Sequence, residues 1–324
     1  MAILLIGLGR WGEKHLRVLR ELGEDVWVAD GSPARRAWAE RQGVPPGRVA
    51  SDYREVLAAV DAVDVVTPAD SHRDIVGACL AAGRHCFVEK PLSATWADGR
   101  ELAETARAAG KVVQVGHIFR FHPVTVTLGA ALRDGRIGAV RYATGRFAGF
   151  KRPRTDVGVT RTDAIHYFDL FAHLLGREAT SVMALQRDYL GRGLDDMSVT
   201  IVSYGDVPVL VEASYFVPGT FRECVIVGET GSLVADFSAG TVTLHAQAFA
   251  RSGEAWEAID RGKERLDVGA GEPLRLELAA FLAACRGRGP NFVPVAAGLH
   301  AVAVVEAAAR SSARGCTVSL TELA

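Results

Sequence analysis

A glycine triplet, Gly7-Leu8-Gly9-Arg10-Trp11-Gly12, follows an apolar run and opens a stretch of helical periodicity. In that setting the spacing suits a dinucleotide. Gly7 permits a tight turn, Gly9 lets a pyrophosphate approach the backbone, and Gly12 lets strand and helix pack closely. The N–H groups of the loop and helix start, across Leu8, Arg10 and Trp11, then face the phosphates. Asp30 stands eighteen residues beyond Gly12, at the end of the next strand, where a carboxylate accepts hydrogen bonds from ribose hydroxyls. It would also repel a 2′-phosphate, which favours NAD; Arg35 lies nearby and can compensate, leaving NADP open. An ordinary strand-turn-helix corner, with Asp30 as a turn or capping residue, has the same appearance.

Two further residue types can do chemistry. Lys90 falls at the carboxyl end of a strand, the edge of a doubly wound sheet at which ligands bind. A lysine there can donate to a carbonyl or alkoxide, and partial burial lowers its pKa; a surface lysine paired with Glu89 is the alternative. His166 suits proton transfer near neutrality. It shares one broad helix face with Asp163 and Asp169, each three residues away, although a core or helix-surface histidine reads the same. Lys151-Arg152-Pro153-Arg154 with Arg161 can hold a phosphate, diphosphate or carboxylate, or form a solvated basic loop.

These residues must be positioned by 324 residues carrying 37 Lys plus Arg against 38 Asp plus Glu. With 49% hydrophobic and 23% charged residues the chain is globular, and a net charge of −1 gives no bulk attraction to nucleic acid or anionic membrane. No apolar run approaches the roughly 20 residues needed to span a bilayer. The opening Met1–Ile6 lacks a basic n-region and reads as a strand. Five scattered cysteines (79, 86, 224, 285 and 316) without a Cys-x-x-Cys pair suggest neither disulfides nor a zinc site. Reduced thiols in a cytoplasmic protein are expected, with no metal.

The first part alternates short apolar strands (3–6, 26–29, 63–67, 85–88, 112–115) with helices (13–22, 33–42, 70–82, 95–109). Ser32 is the expected N-cap of the second helix, with Pro33 at N1. This is the pattern of a parallel sheet covered on both faces. Beyond about residue 120 come strands at 141–150, 180–189, 197–204, 207–216, 222–227 and 241–247. A helix at 163–175 interrupts them, and helices at 273–285 and 294–311 follow. The change of rhythm predicts two domains, 1–118 and 119–324, with the C-terminal helix able to pack back on the first. A sheet with one uncovered face predicts a homodimer or homotetramer.

Several segments together resemble the Gfo/Idh/MocA oxidoreductases (glucose–fructose oxidoreductase, inositol dehydrogenase and relatives). They are Thr67-Pro68-Ala69-Asp70-Ser71-His72, the run from Ala81 through Glu89-Lys90-Pro91-Leu92, Gly116-His117-Ile118-Phe119-Arg120-Phe121-His122-Pro123, and Asp163-Ala164-Ile165-His166-Tyr167-Phe168-Asp169. The resemblance covers about the first 175 residues and implies an α/β Rossmann domain, a doubly wound parallel sheet. An α+β domain with a large, open-faced, mainly antiparallel sheet follows it. It implies an NAD(P)-dependent enzyme moving hydride between nicotinamide and a hydroxyl-bearing carbon of a sugar, cyclitol or nucleotide sugar. Lys90 would hydrogen-bond the reacting oxygen beside the nicotinamide, and His166 would be the general base. Thr67, Pro68, His72 and Glu89 would line the cofactor side, and Pro91 would follow a cis peptide bond. Arg120, Lys151, Arg154, Thr162 and Asp163 are candidates for substrate binding. The family commonly carries an aspartate four residues before this histidine, where this chain has Thr162. Either Thr162 binds a substrate hydroxyl instead, or the helix start is rearranged. The alternatives are a redox-neutral NAD-dependent glycosidase on the same scaffold and a non-catalytic NAD-binding regulator.

Overall fold

The computed structural model describes residues 1–323 and divides into two compact units. The first comprises residues 1–118 and 272–302. Its strands are β1 (Ala2–Ile6), β2 (Asp25–Ala29), β3 (Val49–Ala50), β4 (Ala62–Val65), β5 (His85–Glu89) and β6 (Val113–Gly116). They form one parallel sheet of order β3-β2-β1-β4-β5-β6, the dinucleotide-binding order. The helices α1 (Arg10–Glu21), α2 (Pro33–Arg41), α3 (His72–Ala81) and α4 (Trp96–Ala109) alternate with the strands. On α1, Leu16, Val18 and Leu19 are buried in one apolar cluster with Ile3, Leu5, Val28 and Phe87.

Leu274, Leu278, Phe281 and Leu282 join that cluster from the helix Pro273–Cys285, and Gln114 Nε2 donates to the Glu277 carbonyl at 3.1 Å. Residues 272–302 therefore group with the first unit rather than interrupting it from the expected 119–324 span. Ser32 stands at the N-cap of α2, but its hydroxyl makes no capping bond. Asp30 Oδ1 instead accepts the Ser32 N–H at 2.8 Å.

The second unit comprises residues 119–271 and 303–324. It carries α5 (Pro123–Arg133), β7 (Val140–Gly149), α6 (Ile165–Leu175), β8 (Ser181–Arg187), β9 (Met197–Tyr204), β10 (Val207–Ser214) and β11 (Thr220–Gly228). Four more strands complete it: β12 (Ser232–Asp236), β13 (Thr241–Ser252), β14 (Ala255–Leu266) and β15 (Val318–Ser319). The nine strands form one sheet of order β14-β13-β12-β11-β7-β10-β9-β8-β15, antiparallel throughout except for the β7–β10 pair. Helix α6 lies on one face. Tyr167 packs where a Cβ at Gly145 would come within 2.6 Å of its ring, and its hydroxyl donates to the Glu223 carbonyl at 2.7 Å. On the other face Met183, Ile201 and Leu210 are aligned in register across β8, β9 and β10 and are exposed.

Helix α5 escapes the sequence reading because Val124-Thr125-Val126-Thr127 is β-branched and alternating. Pro123 at N1 and a cap from His122 Nδ1 to the Val124 N–H (3.2 Å) start the helix regardless. Strand β14 carries no apolar alternation because almost every residue in it is exposed.

Candidate active site

In the first unit the glycine loop has a cofactor's shape. Gly7 has φ +95°, and a Cβ there would lie 2.6 Å from the Val66 carbonyl oxygen; one on Gly12 would lie 2.0 Å from that of Gly7. Gly9, the N-cap of α1, has open space where its Cβ would point. The backbone is therefore accessible to a bulky anion at the helix N-terminus, where N–H groups and the helix dipole favour one. Asp30 Oδ2 accepts the Leu8 N–H at 2.7 Å, so this carboxylate also braces the loop. Arg35 is engaged by Glu13 at 2.5 Å. Arg10 is exposed at the first position of α1.

At the carboxyl edge of the same sheet, Lys90 directly follows β5 and is joined to Pro91 by a cis peptide bond. Its N–H donates to Glu89 Oε2 at 3.1 Å. Glu89 is buried, and its Oε1 accepts the Trp11 indole N–H at 2.6 Å. His15, absent from the sequence candidates, completes this cluster. Its Nδ1 is 2.8 Å from Asp64 Oδ2 and its Nε2 is 3.3 Å from Glu89 Oε1. Burial alone would lower the His15 pKa, but Asp64 and Glu89 raise it to about 10. Burial likewise opposes ionisation of Glu89, yet His15 holds its pKa below the usual range. Asp64 in an otherwise apolar strand, Ala62-Val63-Asp64-Val65, was the available sequence signal for this cluster.

Thr67 and Pro68 follow β4. The Ser71 hydroxyl lies 2.8 Å from Thr67 Oγ1 and 2.7 Å from the Pro68 carbonyl. His72 has no exposed surface, and its two ring nitrogens face the carbonyls of Thr67 and Pro91, each at 2.9 Å. Burial lowers its pKa, so at neutral pH the ring donates to one of them at a time. Its ring thereby braces the loops that carry Thr67 and Pro91. Glu89, similarly buried, acts on the loop through Trp11 and the Lys90 N–H.

In the second unit His166 begins α6 and is buried among rings. It stacks on Phe119 at 4.8 Å and on Phe147 at 5.5 Å between centroids. The Arg222 guanidinium lies 3.4 Å from the Phe147 centroid. Phe147, Arg222 and Tyr215 were not anticipated, since isolated residues on or beside strands carry no local motif, and Phe119 was part of a quoted motif without a role of its own. The start of the helix is rearranged: Thr160–Ala164 is a π-helical turn. Thr162 Oγ1 donates to the Gly158 carbonyl at 2.7 Å. The neighbouring Asp163 is buried and takes Lys151 Nζ at 2.7 Å. Burial pushes the Tyr215 pKa up to about 12.

The remaining basic candidates already have partners. Arg120 makes a bidentate pair with Asp169 (2.8 and 2.6 Å), and Arg154 makes one with Asp156 (2.8 and 2.5 Å). Both have the planar fork geometry that a guanidinium favours. Arg120 is thus tied to the helix that carries His166, and the exposed Arg154 is tied to its own loop.

Comparison with known proteins bears on both units. Residues 1–117 match the family model described as oxidoreductase family, NAD-binding Rossmann fold, and residues 130–320 match the same family's C-terminal alpha/beta domain. An inositol 2-dehydrogenase of Rhizobium meliloti is 32% identical over 65% of this chain and 64% of its own length, so the match spans slightly less than two thirds of that relative. Inositol 2-dehydrogenase 2 of Saccharopolyspora erythraea is 31% identical over 72% of each chain. The solved structure of UDP-N-acetylglucosamine 3-dehydrogenase from Acidithiobacillus ferrooxidans superposes with a TM-score of 0.84 at 26% identity, covering 97% of this chain and 98% of that one. The glycine cradle, the parallel strand order and the model matches agree: the chain belongs to the Gfo/Idh/MocA family of NAD-binding oxidoreductases.

Proposed function

We propose that the chain transfers hydride between NAD and a hydroxyl-bearing carbon of a sugar, cyclitol or nucleotide sugar. The observation that carries this reading is Lys90 at the carboxyl end of β5, on the same sheet edge as the Gly7–Gly12 cradle, with its N–H tied to Glu89. When bound, NAD supplies the hydride acceptor. Gly7, Gly9 and the N–H groups from Leu8 to Trp11 hold its diphosphate, and Asp30 takes a ribose hydroxyl while keeping the Leu8 N–H. Thr67 and Pro68 line the cofactor side, braced by His72. Lys90 Nζ donates to the reacting oxygen, and His166 accepts the hydroxyl proton as hydride leaves. Phe119 and Phe147 exclude water around the imidazole.

Lys151, Asp163 and Thr162 offer donors and acceptors to further hydroxyls. Lys151 is paired with Asp163 and Arg154 with Asp156, so two of the four cations of this stretch have a carboxylate partner within the chain. Asp30 and the engagement of Arg35 by Glu13 favour NAD over NADP. Calorimetry should accordingly give tighter binding of NADH than of NADPH, and the reverse order would return Arg35 to the cofactor.

The activity is tested by offering NAD with inositols, free sugars and nucleotide sugars and following NADH formation. No NADH from any of them, and no oxidation of NADH by the matching ketones, would sink the reading. Hydrolysis with tightly held NAD and no net NADH would instead identify a redox-neutral glycosidase. A second copy of the chain covers the aligned Met183, Ile201 and Leu210, giving a cytoplasmic homodimer or homotetramer. A monomer at micromolar concentration in sedimentation would contradict this.

A further inference from the structure

Asp64 sits on a central strand of the parallel sheet, between fully buried Val63 and Val65. A carboxylate there is costly unless paired. Its partner comes from α1: His15 Nδ1 at 2.8 Å. The same imidazole turns Nε2 to Glu89 at 3.3 Å, and Glu89 holds the Trp11 indole N–H and the Lys90 peptide N–H. The neighbouring strand leaves the room required. Gly116 pairs with Glu89, and a Cβ on it would lie 2.9 Å from Glu89 Oε1. The groups facing Glu89 are His15 and Trp11 of α1, Lys90 beyond β5 and the neutral His72 of α3. Those facing His15 are Asp64 and Glu89, with the rings of Trp11 and Phe87 edge-on.

We infer that Asp64 and His15 are positioning residues that fix the Glu89 carboxylate where it ties Trp11 of the glycine loop to the backbone of Lys90. The inference rests on the proposed use of NAD only for its effect on cofactor affinity. An imidazolium donates from both nitrogens and so serves both carboxylates; a neutral ring serves one. His15 remains a cation through the neutral range because Asp64 and Glu89 outweigh its burial. Loss of that proton at alkaline pH frees one side of the relay and changes the indole's hydrogen bond.

Trp11 reports this without any cofactor. The emission of the parent minus that of Trp11→Phe, followed from neutrality to about pH 11, should titrate with a midpoint near 10. The midpoint should move down by about a unit or more in Asp64→Asn, which keeps an acceptor but removes the charge. In His15→Gln the transition should vanish. In folded Asp64→Asn the affinity for NADH should fall about tenfold. A parent signal that does not titrate, or one that titrates alike in parent and Asp64→Asn, overturns the inference. Should the variants fail to fold, the parent titration decides alone. If the parent binds no NADH, the proposed function fails, and the Trp11 titration still decides the positioning role.

Discussion

Lys90 and His166 are supported by different physics. Beside Lys90, ions do the holding: Asp64, His15 and Glu89 are buried, and one imidazole lies 2.8 Å from Asp64 and 3.3 Å from Glu89. Around His166 rings do it, with Phe119 and Phe147 stacked on the imidazole and Arg222 over Phe147. An ion network fixes charge and direction together, which suits the proposed donation from Lys90 to an oxygen. Stacking fixes the plane of a ring, which suits the proposed proton transfer by His166.

The sharpest attempt to break this comparison removes the two proposed reacting groups. Lys90→Ala and His166→Ala should each lower kcat by about two orders of magnitude or more, with NADH affinity nearly retained in calorimetry. Near-parent turnover of the true substrate in both variants would end the catalytic assignment. A second test addresses the ion network alone. Because the His15 pKa is raised above its ordinary value of 6.5 to about 10, its stabilising contribution is complete below 6.5 and lost as pH rises through 10. Denaturant unfolding should show the parent losing on the order of a few kcal/mol across that window beyond any loss in His15→Gln. Equal alkaline losses would show that the imidazolium contributes nothing.

The ring side is sharpened by Phe147→Leu, which removes the stack on His166 and the platform beneath Arg222. An aromatic pair and a cation–π contact, each worth about 1 kcal/mol, predict roughly a thirtyfold fall in kcat/KM with NADH binding unchanged. An equal fall in NADH affinity would mean that the stack supports the fold and not the imidazole. The smallest effect is expected from Arg154→Ala. This exposed side chain is bound to Asp156 on its own loop, so kcat/KM should change less than about threefold. A larger loss would restore Arg154 to substrate binding.

Much of the first unit was legible because its signals are local. Gly7, Gly9 and Gly12 are required by a left-handed φ, an open approach and a close crossing, all within six residues. The strand–helix alternation follows from apolar runs and caps such as Thr95, whose hydroxyl accepts the Asp98 N–H. The second unit was harder to read. Helix α5 hides behind β-branched residues, and β14 lacks the buried face that writes alternation into a strand. The roles of Arg120 and Arg154 were ambiguous because a sequence shows that an arginine is present but not that Asp169 or Asp156 already occupies it.

By itself the amino-acid order determined the glycine cradle, the run of parallel strands, and the residues able to donate to an oxygen or take up a proton. Turn geometry, periodicity and side-chain chemistry act over a few neighbouring positions. Only the tertiary structure decided that Asp64 meets His15 across 49 residues, that Lys151 closes on Asp163, and that residues 272–302 join the first unit. Those outcomes depend on desolvation. A charge or an apolar face removed from water must find its partner on whichever distant element packs beside it, and that partner has no fixed spacing along the chain.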